Sequence, residues 1–137
     1  MKRLFESGEW SVTGEVRGKK DFPTIISVRG KPTDAGSGRV MLATAGGTVT
    51  ESGRCYGTQR KGRLGMHVTY VTDDELTVTY FRLGEVYVKA GDRVEAGQLL
   101  GKASWQEDAR VEVRQNGRRL DVCRWLGMGG TSESRSD

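Results

Sequence analysis

Prolines and cysteines number only 2 each in 137 residues, aromatic side chains make up 7%, and no apolar run is long enough to cross a bilayer. Each shortage excludes something. A spanning helix needs about 20 predominantly apolar residues, and a secretory leader needs an apolar stretch of about 7 to 15. The stretch from Met1 to Trp10 has Lys2 and Arg3 but no such stretch, so the expectation is a soluble, untargeted chain. Cys55 and Cys123 lie far apart in sequence and form no close Cys-x-x-Cys metal pair; whether they meet depends on the fold, and two unpaired thiols are the simplest expectation. The few aromatics are not interleaved with Arg or Lys as base-stacking platforms would be, so no nucleic-acid partner is expected. Hydrophobic residues are a lean 35%, yet 20 glycines against 2 prolines imply many turns rather than a collagen-like or disordered chain.

What is present reads as all-β in one domain, long enough for a real apolar core. The net charge of +4 and pI near 9.3 suit an anionic envelope polymer or an acidic partner, and equally a solvated basic surface, because net charge bears on association rather than on fold. Residues 1–31 form a weakly patterned N-terminal extension, predicted to hold one or two short edge strands around Val12 and Val16 and in the Phe22–Val28 run that Pro23 interrupts. The main β domain spans 32–126, and 127–137, rich in Gly, Ser and charge, is predicted to be a disordered tail. Within the domain, Thr33–Gly38 is a loop, and Val40–Ala45 and Gly47–Thr50 are strands. Glu51–Gly65 is an exposed basic loop with Arg54, Arg60, Lys61 and Arg63. Met66–Thr72 and Glu75–Leu83 alternate with period two around Asp73-Asp74, which predicts a hairpin. Ala109–Arg114, the Asn116-Gly117 turn and Arg118–Val122 predict another, followed by a short helical turn at Asp121–Leu126.

Between these hairpins runs Val86–Lys102, punctuated by Gly91, Gly97 and Gly101. Gly91-Asp92 suits a turn with positive φ, and Val86, Val88, Val94 and Leu99 are predicted to share one buried face. The step Gly-Asp-x-Val-x-x-Gly-Gln-x-Leu occurs in lipoyl and biotinyl carriers, but the Met-Lys-Met or Asp-Lys-Ala tip that accepts a cofactor is missing. Four pieces in order carry a different resemblance: Met41-Leu42-Ala43 with Gly47-Thr48-Val49; Tyr80-Phe81-Arg82-Leu83; the Gly-punctuated run; and Asp108–Gly117 with Leu120-Asp121 and Trp125-Leu126 behind it. Together they are similar to M23 (LytM-type) peptidases from about Arg39 to Leu126. The resemblance implies a single antiparallel β-sheet or sandwich of the duplicated-hybrid-motif, barrel-sandwich-like type.

The departures fall on the chemistry. The resemblance implies zinc held by a His-x-x-x-Asp motif and the second His of His-x-His, with a position left open for water. In this chain Arg110 occupies that second His position, and a guanidinium has no lone pair to donate. Asp108 and Arg82 replace the two further histidines that the family pattern carries, and counting back from Ala43 puts Val28 and Pro32 in the first motif. No histidine precedes Met41, and His67, the sole histidine, is read as a surface or core residue away from any ligand position. No catalytic residue, metal or cofactor is therefore expected. The resemblance implies a module that works by binding in cell-envelope assemblies, on a peptidoglycan fragment or an envelope protein, as degenerate relatives do in wall regulation and sporulation. Arg82, Arg110, Asp108, Glu112 and Tyr80 are the candidate ligand residues, the two arginines offering forks to a carboxylate. The competing expectation is internal pairing, with Arg110 held by Asp108 or Glu112 and Arg82 by Glu85. An active zinc enzyme with atypical ligands such as Asp34 and Asp108 is the other alternative. Oligomeric state and location stay open: the family usually acts outside the membrane, whereas this sequence shows neither leader nor anchor.

Overall fold

Strands dominate because the chain alternates apolar and polar residues over short runs and punctuates them with glycine. A computed structural model describes residues 2–19, 21–34, 36–54 and 65–127. Its elements are β1 (Trp10–Arg17), β2 (Pro23–Gly30), β3 (Val40–Leu42), β4 (Gly47–Arg54), β5 (Met66–Thr72), β6 (Thr77–Val86), β7 (Arg93–Val94), β8 (Leu99–Ala103), β9 (Ala109–Gln115), β10 (Arg118–Arg119) and α1 (Val122–Trp125). All pairings are antiparallel in one open sheet ordered β1-β2-β9-β6-β5-β4-β7, with β10 beside β9 and β3 beside β8. The predicted all-β class and both hairpins are present. The second hairpin turns at Asn116 and Gly117 with φ of 52° and 79°, the left-handed pair that a two-residue turn between twisted strands requires.

The N-terminal strands differ from the expectation of short edge strands. Both β1 and β2 are 8 residues long, and β2 lies inside the sheet between β1 and β9. Pro23 begins β2 instead of breaking it, at the position where a missing N–H costs the ladder least. Leu4, Phe5, Ile26 and Val28 are fully buried in the same core as Met41, Val68, Tyr80, Leu100 and Val111. Gly30 lets this happen: a Cβ there would sit 2.1 Å from the carbonyl oxygen of Gly38 and 2.7 Å from the Phe5 ring. Helix α1 is capped by Asp121, whose Oδ1 accepts from the Arg124 N–H at 3.1 Å; it contacts β2 and β9, burying Val122 and Leu126 at the C-terminal side.

The Gly-punctuated run clips onto two earlier segments. Gly91 N–H donates to the Val49 carbonyl and Val49 N–H to the Asp92 carbonyl, while Ala43 and the Gly97-Gln98 turn exchange a like pair of bonds. Gly91 and Gly97 have φ of 98° and 91°, so the prediction for the first of these turns holds. The predicted buried face needs one correction: Leu99 is 42% exposed and Leu100 is fully buried. Leu99 lies an odd number of positions from Val94 and so falls on the opposite face of an alternating strand, whereas Leu100 keeps the phase of Val86, Val88 and Val94. The strand predicted through Ala45 ends at Leu42. Cys123 is a free thiol, whereas Cys55, most of the basic loop and the tail beyond Gly127 lie outside the described residues.

Candidate functional site

Strand β6 changes partners along its length. Thr77–Phe81 pairs with β9, and Leu83–Val86 pairs with β8. The switch falls on Arg82, whose φ of 64° is the left-handed conformation of a bulge residue, and β5 shows a register shift opposite it between Met66 and Val68. Residues opposite one another in a sheet share a face, so the row Ser27–Arg110–Phe81 runs across β2, β9 and β6 on the side away from the core. Arg82, set by the bulge, stands at the end of this row. The adjacent row Ile25–Glu112–Thr79–Thr69 lies on the same face, with the Thr69 and Thr79 hydroxyls 3.0 Å apart.

The carboxylates of this face are already taken. Asp108 accepts from Arg29 Nε at 2.9 Å, Arg29 Nη2 at 3.0 Å and the Thr13 hydroxyl at 2.7 Å, tying β1, β2 and the start of β9 together. Burial pushes the Asp108 carboxyl up, but those hydrogen bonds and the charges of Arg29 and Arg82 outweigh it and hold it below the usual aspartate value. Buried Glu112 accepts from Arg114 Nε at 2.8 Å and Arg119 Nε at 3.0 Å, on its own hairpin. The internal pairs expected from sequence are thus replaced by others: neither Asp108 nor Glu112 holds Arg110. Arg82 approaches Glu107 at 3.8 Å in place of Glu85. The Nε atoms of Arg82 and Arg110 are both buried without a hydrogen-bond partner. Burial first, and the neighbouring positive charge of Arg82 second, lower the Arg110 pKa, with Glu107 acting the other way.

Tyr80 does not join this group. It alternates to the opposite face of β6, where its ring is fully buried and its hydroxyl donates to the Leu42 carbonyl at 2.8 Å. His67 is structural as well, with Nδ1 3.0 Å from the Gly53 carbonyl and Nε2 3.2 Å from Glu51. Val28 turns into the core and Pro32 and Asp34 are exposed in the loop that follows. These residues do not fit zinc: Val28, Pro32 and Arg110 offer no donor, and among the described residues no three His, Cys, Asp or Glu side chains are grouped to hold a metal ion.

Beside this face a pocket of about 380 Å³ is bounded by Phe5, Val28, Pro32, Trp105, Glu107 and Asp108. Arg39 stacks over the Trp105 ring at 3.6 Å from its centroid and donates to the Ala103 carbonyl at 3.1 Å, yet Trp105 remains 81% exposed. Arg29, Thr13, Glu107 and Trp105 were not among the residues singled out from sequence. A tryptophan between Ser104 and Gln106, outside any apolar run, was the one available signal.

The model of peptidase family M23 matches residues 28–122. No curated protein matches the chain. Among solved structures, a chain of the SpoIIQ–SpoIIIAH pore-forming complex is 18% identical with a TM-score of 0.70, over 98% of this chain and 95% of that one. The catalytic domain of a mutant prophage-encoded M23 protein, EnpA from Enterococcus faecalis, is 27% identical with a TM-score of 0.57, over 82% and 88%. The antimicrobial peptidase lysostaphin from Staphylococcus simulans is 19% identical with a TM-score of 0.58, over 88% of this chain and 51% of that one. The fold is therefore shared by a chain of a pore-forming complex and by peptidases alike.

Proposed function

The chain belongs to peptidase family M23, and from that premise we propose that it is a non-catalytic member of the family, a binding or regulatory module of a cell-envelope assembly. The observation that supports this reading is Arg110: a permanent cation stands at the position that the sequence resemblance assigns to a zinc ligand, on a face where Asp108 and Glu112 are engaged by Arg29, Arg114 and Arg119. A cation next to a second cation repels a metal ion as well as failing to bind it. The likeness to a chain of a pore-forming complex supports an envelope protein as partner, and a peptidoglycan fragment is the other ligand class for the same face. The zinc-enzyme alternative has less support, since Asp108 already accepts from Arg29 and Thr13 and, among the described residues, no three His, Cys, Asp or Glu side chains are grouped to hold a metal ion. Family membership favours this scaffold over the carrier reading of the Gly-punctuated run.

The test is metal analysis of the purified chain alongside digestion of isolated peptidoglycan with added zinc. The expected result is substoichiometric zinc and no release of soluble fragments. Stoichiometric zinc together with fragment release that a chelator abolishes would overturn the reading.

A further inference from the structure

Resting on that reading, we propose that Arg82 and Arg110 form a receptor for a single carboxylate supplied by the binding partner. Two features of the face point there independently. The first is unmet donor capacity: both Nε–H groups are buried and unpartnered, and buried donors are ordinarily satisfied by something. Asp108 and Glu112, the carboxylates that flank Arg110, are engaged by Arg29, Thr13, Arg114 and Arg119. Glu107 reaches Arg82 only at 3.8 Å, beyond hydrogen-bond distance.

The second feature is charge. Arg110 lies in register with Phe81, the residue before the bulge at Arg82, and besides burial the positive charge of Arg82 is near enough to lower the Arg110 pKa, so the two cations repel. With Glu107 counted, the group is one negative charge short of neutrality. A monoanion closes that gap, whereas a phosphate dianion exceeds it. Guanidinium forks match a planar carboxylate in shape, and the same face already makes such a pair between Arg29 and Asp108. A carboxylate of this kind comes from an acidic side chain of a protein partner or from a peptidoglycan stem peptide.

Labelling the chain with 15N and following the arginine Nε–Hε resonances distinguishes these sources. The probes are acetyl-tetraglutamate amide, muramyl dipeptide, the methyl ester of each, and inorganic phosphate. The expected result is that the Arg82 and Arg110 signals move with at least one free-acid probe and not with its ester. Arg82→Lys and Arg110→Lys, which keep the charge and lose the fork, should each weaken binding about tenfold. A response to tetraglutamate alone identifies a protein acid, to muramyl dipeptide alone a stem peptide, and to both the shared chemistry. No movement of either signal, a larger movement with phosphate, or unchanged affinity in a folded Arg82→Gln/Arg110→Gln double variant would overturn the proposal. If carboxylates fail while the chain still lacks zinc and hydrolysis, the receptor is wrong and the non-catalytic reading stands. Chelator-sensitive hydrolysis removes the reading itself.

Discussion

Truncating Tyr80 to alanine is expected to lower the unfolding free energy by about 3–5 kcal/mol, as for other large aromatic residues removed from a core. Native domains have only about 5–15 kcal/mol in total, so this single change removes a large share of the stability and should shift the urea midpoint strongly downward. The ring is fully buried, meets Tyr70 edge-on with centroids 5.8 Å apart, and its hydroxyl bonds the Leu42 carbonyl while lying 3.0 Å from the Tyr70 hydroxyl. That contact continues to Thr44, whose N–H and hydroxyl both reach the Tyr70 oxygen at 3.1 Å. Tyr80→Phe keeps the volume and removes only the hydroxyl, leaving the Leu42 carbonyl buried without its donor, at a cost of about 1–3 kcal/mol. Urea unfolding monitored by circular dichroism measures both. A phenylalanine variant within about 0.5 kcal/mol of the parent would show that the hydroxyl network is not a core element.

The second large effect is a contrast between neighbours. Leu100→Ala should cost about 2–5 kcal/mol, because the side chain is fully buried in the same core cluster as Met41 and Leu83 and its removal leaves a cavity. Leu99→Ala should stay within about 0.5 kcal/mol, since that side chain is 42% exposed. The same pair of melts decides the register of β8. If Leu99 proved the costly position, the pairing of Leu42 with Leu99 and the shift before it would be wrong.

The contrast also shows where sequence reasoning reached its limit. The hairpins at Asp73-Asp74 and Asn116-Gly117, the turn at Gly91 and the helical turn after Asp121 were legible because each depends on residues within a few positions of one another. Leu99 and Leu100 were not, because the turns at Gly91 and Gly97 separate them from Val86 and Val88, and which of the two enters the core depends on pairing of β8 with the distant strands β3 and β6. Strand β2 was misjudged for a related reason. Its place inside the sheet comes from pairing Ile25–Val28 with Ala109–Glu112 far along the chain, and nothing local to residues 23–30 announces that partner.

For the candidate site the division is the same. Sequence alone determined which atoms are available: Arg82 and Arg110 are cations with donors and no lone pairs wherever the fold places them, and His67 is the sole histidine. It also marked the Val86–Lys102 run as a turn-rich scaffold, because glycine at Gly91 and Gly97 answers a local backbone requirement. Only the tertiary structure decided which groups meet. It gave Asp108 to Arg29 and Thr13, gave Glu112 to Arg114 and Arg119, sent Tyr80 into the core, and left Arg82 and Arg110 side by side with buried Nε atoms unmatched. Those outcomes turn on strand order, register and the bulge at Arg82, which are set by pairings between distant segments.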